Sequence, residues 1–146
     1  MRPVAPIAFG LLLFASCSTR VPAASPFGNP DTQQILALVR QAMDIDSRGG
    51  LAEHLYVQPP LIVVNGSMRT GWPRFAGVGT GGTTRISEVT AGVNTPTAWA
   101  HASYRWVSAD GTNTEDGRVT FFLENEGGGW RIKHAHSSTV PPWERR

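Results

Sequence analysis

Apolar side chains recur at helical spacing between residues 35 and 45. Ile35, Leu38, Val39, Ala42, Met43 and Ile45 form one stripe, and Asn29-Pro30-Asp31 stands in front of them. That tripeptide is a helix start: Asn caps, Pro fits the first helical position, and Asp complements the helix dipole. Gly49-Gly50 interrupts the stripe. A shorter helix is predicted over residues 51–56, stopped by Pro59-Pro60. The period then changes. Residues 61–64 are a short β-branched run closed by the turn signal Asn65-Gly66. Residues 72–75 predict a single helical turn, and 77–82 a glycine-rich loop. Strands are predicted over 84–93, 97–107, 117–124 and 130–137, with hairpin turns at Ala109-Asp110-Gly111 and at 126–129. Helices followed by an antiparallel meander define an α+β layout, with the helices on one face of a curved sheet.

Alternation sorts the strand residues onto two faces. Trp99, His101, Ser103 and Arg105 share one side of their strand; Ala98, Ala100, Ala102, Tyr104 and Trp106 share the other. Val119, Phe121 and Leu123 oppose Arg118, Thr120, Phe122 and Glu124. In the last strand a strict period of two groups Trp130, Ile132, His134 and His136 against Arg131, Lys133, Ala135 and Ser137. A face that mixes large aromatics with His or Arg suits a pocket with an apolar body and a few polar groups. It equally suits a core backed by an outer face on which Arg stems cover aromatics.

Composition narrows the class. A chain of 146 residues, 40% hydrophobic and 16% charged, is one packed domain. Its net charge of +2 comes from Arg2 and Arg20. From Asp31 onward eleven basic and eleven acidic residues cancel, so the domain has no electrostatic footprint for nucleic acid. One cysteine excludes an internal disulfide framework and a multi-cysteine zinc site. Residues 1–16 carry Arg2, an apolar stretch and then Ala15-Ser16, the layout of an export signal too short to span a bilayer. Phe14-Ala15-Ser16-Cys17 resembles a bacterial lipobox, in which the cysteine becomes the lipidated first residue. Phe14 departs from the usual Leu. Ser18 is not the Asp that favours inner-membrane retention. The resemblance implies an outer-membrane lipoprotein facing the periplasm, touching the membrane only through its lipid. The alternative is a soluble secreted protein cut near Ala23-Ala24. Residues 17–30, rich in Pro and Ser, read as a tether, and 31–146 as the domain.

Gly129-Trp130-Arg131-Ile132-Lys133-His134-Ala135-His136-Ser137-Ser138, followed by Pro141, resembles the closing strand of the SnoaL-like families of the nuclear transport factor 2-like superfamily. It is also similar to the association (hub) domain of calcium/calmodulin-dependent protein kinase II. Ala102-Ser103-Tyr104-Arg105 and Gly117-Arg118-Val119 fall where that hub has arginine-bearing strands. The resemblance implies a cone-shaped α+β fold with an internal cavity and a homodimer formed through the sheet. It does not imply one function, since cyclases, isomerases, binding modules and scaffolds share the fold.

Isomerase-like relatives carry a carboxylate base near the end of the first strand, but Asn65 stands there and cannot take a proton. Asp44 and Asp46, at the end of the first helix, are expected in solvent. His134 and His136 are the candidate acid/base pair, and with His101 they present three imidazoles but no visible carboxylate support for a metal. Arg105 and Arg118 match cavity-lining hub positions and suit a carboxylate-bearing ligand, unless surface acids such as Glu88, Glu115 or Glu124 pair with them. The glycine-rich loop lacks the Lys and the following helix of a phosphate loop, and no G-x-S-x-G is present. No cofactor or metal is called for. The expected site is therefore Trp99, His101, Tyr104, Arg105, Arg118, Trp130, His134 and His136, lining a cone that takes a small apolar or anionic molecule. The alternatives are a cyclase- or isomerase-type enzyme using a histidine, and a dimeric or larger association module.

Overall fold

The computed structural model describes residues 29–144. The segment read as an export signal, Cys17 and most of the segment read as a tether lie outside that range. Helix α1 (Pro30–Ser47) starts where the sequence places it, with Asn29 Oδ1 accepting the Asp31 N–H at 2.9 Å. Its stripe is buried at Ile35, Val39, Ala42 and Met43. Replacing Asn29 by Ala is expected to cost about 1 kcal/mol, read as a lower urea midpoint at unchanged slope.

The second predicted helix is only a 3-10 turn, Glu53–Leu55, because Tyr56 already opens strand β1 (Tyr56–Val64). Pro59-Pro60 lies inside that strand rather than before it. Prolines have no N–H for the ladder, and the pairing with the last strand slips between Tyr56 and Leu61. Asn65 and Gly66, at φ 48° and 78°, make the tight turn into the short β2 (Ser67–Arg69). Residues 72–75 form no helix. They lead instead into a plug of buried Phe75, Ala76 and Val78.

Four long strands follow: β3 (Thr83–Asn94), β4 (Thr97–Val107), β5 (Thr114–Asn125) and β6 (Trp130–Thr139). The sheet order is β2-β1-β6-β5-β4-β3. The predicted meander is present, and β1 adds to it in parallel with β6. Helix α1 packs on the inner face, mainly against β3, where Ala98, Ala100 and Ala102 of β4 leave room for it. The α+β expectation holds.

Two bulges decide which side chains point where. In β3, Ile86 pairs with Tyr104 and Glu88 with Ser103, leaving Ser87 as the extra residue. In β6, Ile132 pairs with Leu123 and His134 with Phe122, leaving Lys133 extra. The strict alternation read from the sequence fails at Lys133. Trp130 and Ile132 face inward, but so do Ala135 and Ser137, while His134 and His136 turn outward. Lys133 itself reaches Glu124 on β5.

Candidate functional site

The eight residues expected around one internal cavity divide between the two faces of the sheet. Tyr104 and Trp130 point inward and are buried. Trp130 ties β6 to the start of α1 through its indole N–H, 3.2 Å from Asp31 Oδ1. Trp99, His101, Arg105, Arg118, His134 and His136 lie on the outer face. The space between α1 and the sheet is taken by core side chains, among them Phe75 and Phe121, which meet edge to face at 5.6 Å.

Across the middle of the outer face, register aligns Leu61, His134, Phe122 and Trp99 on one row and His136, Thr120 and His101 on the next. Leu61, Phe122 and Trp99 are 44%, 39% and 50% exposed, an apolar band in a face that is otherwise polar. The rings of His134 and His136 lie 6.4 Å apart. His134 Nδ1 is engaged by the Leu61 carbonyl at 2.9 Å, and His101 Nδ1 sits 3.4 Å from Thr120 Oγ1. Among the described residues no three His, Cys, Asp or Glu side chains gather to hold a metal.

The arginines meet at one end of that face. Tyr104, Arg105 and Arg118 line a cleft of about 190 Å3 with Ser87, Ser103, Asp116 and Glu144. An adjoining cleft of about 350 Å3 shares Ser87, Arg105 and Asp116 and adds Arg85 and Ile86. The Ser87 bulge opens this end. Tyr104 and Arg105 point to opposite faces of β4, yet both border the cleft, which reaches the edge of the buried tyrosine. Arg105 grips Asp116 through Nε at 2.7 Å and Nη2 at 3.1 Å, and this partner pushes its pKa up. Arg118 Nη1 meets Glu144 Oε2 at 2.9 Å. The sequence named neither carboxylate: Asp116 is set opposite Arg105 by strand register, and Glu144 arrives from the 3-10 turn Pro142–Glu144. Arg85 lies directly across from Arg105 and has no carboxylate partner among the described residues.

A third cluster was not foreseen. Asp46, expected in solvent, is 2% exposed. Its carboxylate accepts the Arg74 N–H at 3.0 and 3.2 Å and also the Phe75 N–H. Burial pushes its pKa up to about 6, against the pull of those N–H groups and of the Arg74 charge. Arg74 is as deeply buried. Its Nη2 pairs with Glu53 at 2.5 Å and its guanidinium lies 4.5 Å above the Tyr56 ring, while Nε and Nη1 are buried without a hydrogen-bond partner. Burial pushes the Tyr56 and Tyr104 hydroxyls up as well. Trp72 Nε1 donates to the Asp46 carbonyl at 2.6 Å, Tyr104 donates to the Ala76 carbonyl at 2.6 Å, and the Ala76 N–H reaches Ser137 Oγ at 3.0 Å. The cluster is a latch that pins residues 72–76 over the end of the core. A signal for it existed: Ile35, Val39, Ala42, Met43 and Asp46 continue one helical stripe.

Comparison with known proteins agrees with this architecture. The family described as SnoaL-like domain matches residues 57–142. Solved structures share the fold at low identity. A domain of unknown function with a cystatin-like fold from Nostoc punctiforme is 20% identical at a TM-score of 0.60, covering 79% of this chain and 80% of that one. A nuclear transport factor 2-like protein of unknown function from Pseudomonas putida is 21% identical at 0.58, covering 77% and 89%. An uncharacterized protein with a cystatin-like fold from Caulobacter vibrioides is 18% identical at 0.55, covering 78% and 92%. No curated protein matches the chain. The chain belongs to the SnoaL-like domain family, and its fold is nuclear transport factor 2-like.

Proposed function

We propose that this is an exported, lipid-anchored SnoaL-like domain that binds a small carboxylate-bearing molecule in the Arg85, Arg105 and Arg118 cleft. The observation that carries the reading is the convergence of three guanidinium groups on two adjoining clefts at the Ser87 bulge. Guanidinium forks match carboxylates in geometry as well as charge. Ile86 and the arginine stems supply a wall for an apolar body. This moves the binding of an anionic molecule from the inside of the cone, where side chains pack, to the outer end of the sheet. A histidine-based cyclase or isomerase fits less well, because His134 and His136 stand on the outer face of the sheet and line neither arginine cleft.

Native mass spectrometry of the protein from its own periplasm is expected to show a bound small acid. In the Arg105→Gln/Arg118→Gln variant, occupancy should fall at least tenfold while the fold, by circular dichroism, is retained. Equal occupancy in the two proteins would sink the reading. The anchor is checked separately: labelled palmitate should enter the wild type and not Cys17→Ser.

Self-association through the outer sheet face is a second reading, favoured by the exposed Leu61, Phe122 and Trp99 band. Trp99 and Arg105 are six residues apart on β4, about 20 Å along the strand, so a second copy on the band and a ligand in the cleft are compatible. Light scattering should give a dimer that Trp99→Ser/Phe122→Ser converts to monomer. A wild-type monomer at 100 μM would rule the dimer out.

A further inference from the structure

Resting on the cleft reading above, we propose that the C-terminal turn is a built-in competitor: Glu144 lays this chain's own carboxylate on Arg118, and a ligand must displace it. Among the described residues the turn Pro142–Glu144 has few other ties. Its base is fixed where the Val140 N–H donates to the Asp116 carbonyl at 2.8 Å. Beyond that point Pro142 and Glu144 are exposed, and Trp143 is 83% exposed. Within the turn the Glu144 N–H returns to the Pro141 carbonyl at 3.0 Å. The side-chain tie between turn and cleft among the described residues is the Arg118–Glu144 pair, whose members are 49% and 44% exposed. Half-exposed ion pairs are weak and screened by salt. A pair of this kind occupies Arg118 without sealing the cleft.

The pair also defines the ligand. A side-chain carboxylate already sits on Arg118, while Arg85 is left for a second contact and Ile86 for an apolar body. The class is a small monocarboxylate with an apolar body, and its binding releases the turn with Trp143. Charge balance agrees. Among the described lining residues Arg85, Arg105 and Arg118 stand against Asp116 and Glu144, so an incoming carboxylate takes over the charge that Glu144 gives up when the turn leaves.

The test is a titration of the purified full-length protein with benzoate, succinate and benzamide, followed by amide NMR shifts at Ser103, Arg105, Gly117 and Arg118. Benzoate should perturb these amides in the wild type, bind Glu144→Gln at least threefold more tightly, and shift the Trp143 indole N–H toward the position it takes in Glu144→Gln. Arg118→Gln should lose the response. Benzoate affinity that is equal in wild type and Glu144→Gln overturns the competitor while leaving the cleft reading intact. Benzamide binding as tightly as benzoate overturns the carboxylate class. No response to benzoate or succinate in either wild type or Glu144→Gln overturns the cleft reading itself.

Discussion

Replacing Asp46 by Asn is expected to raise stability at pH 8 by up to about 3 kcal/mol and to leave it unchanged near pH 4. Asp46 is 2% exposed, and burial moves its pKa from 3.8 to about 6. That displacement corresponds to roughly 3 kcal/mol of preference for the neutral form in the folded protein. The folded chain holds this proton more tightly than the unfolded chain does. The contribution of Asp46 is therefore complete below about pH 4 and is lost as the pH rises through about 6. Asn imitates the neutral carboxyl and keeps an oxygen for the Arg74 and Phe75 N–H groups. The groups facing Asp46 are Arg74, Tyr56 and Tyr104, with Glu53 behind Arg74. Both tyrosines stay neutral across this range because burial pushes them further up. Asp46→Ala is the control. It removes the acceptor, strands two buried N–H groups and should be less stable than Asp46→Asn at both pH values by about 1–3 kcal/mol. Urea unfolding at pH 4, 6 and 8 reads all three proteins. Parallel curves for wild type and Asp46→Asn would show that the carboxylate is not strained by its burial.

The architecture was legible because its signals are local. Asn29, the Ile35 stripe, Asn65-Gly66 and the alternation of β4 each state their structure within a few residues, and each is where it was read. What failed depended on contacts across the sheet. The Lys133 bulge leaves no mark in the residues beside it, yet it reverses the face of His134 and His136. Without the bulge, those imidazoles would line the core beside Trp130. Pro59-Pro60 reads as a break, but a strand whose partner tolerates missing N–H donors can carry it. Asp46 was misread in another way. Its position on the stripe pointed inward, its charge pointed outward, and the N–H groups of residues 74 and 75 that make burial tolerable are nearly thirty residues away. Arg105 and Arg118 come together at one cleft, but strand register and a C-terminal turn selected their partners. Alternation therefore finds which residues share a strand face, while bulges and distant partners decide what that face does.

Gly117→Ala is expected to cost about 2–6 kcal/mol. Gly117 stands directly across from Tyr104, whose ring lies over it. A Cβ at Gly117 would sit 2.3 Å from Tyr104 Cζ and 2.4 Å from its oxygen. Those distances are inside contact, so the ring must move. It cannot move freely, because it is 2% exposed and its hydroxyl holds the Ala76 carbonyl at 2.6 Å. Overpacking of a filled core costs about 1–3 kcal/mol. Pulling the hydroxyl from its acceptor adds about 1–3 kcal/mol for the unpaired group. The same motif recurs at Gly92, where a Cβ would lie 2.5 Å from the Trp99 indole nitrogen. Trp99, however, is 50% exposed and can swing into solvent. Gly92→Ala should therefore cost under about 1 kcal/mol, in line with surface changes outside the core. Tyr104→Leu combined with Gly117→Ala removes the clash and should recover part of the Gly117→Ala loss relative to the sum of the two single changes. Thermal unfolding of the four variants decides it. If Gly117→Ala is as mild as Gly92→Ala, then Tyr104 is not pinned and the plug at 75–78 does not depend on it.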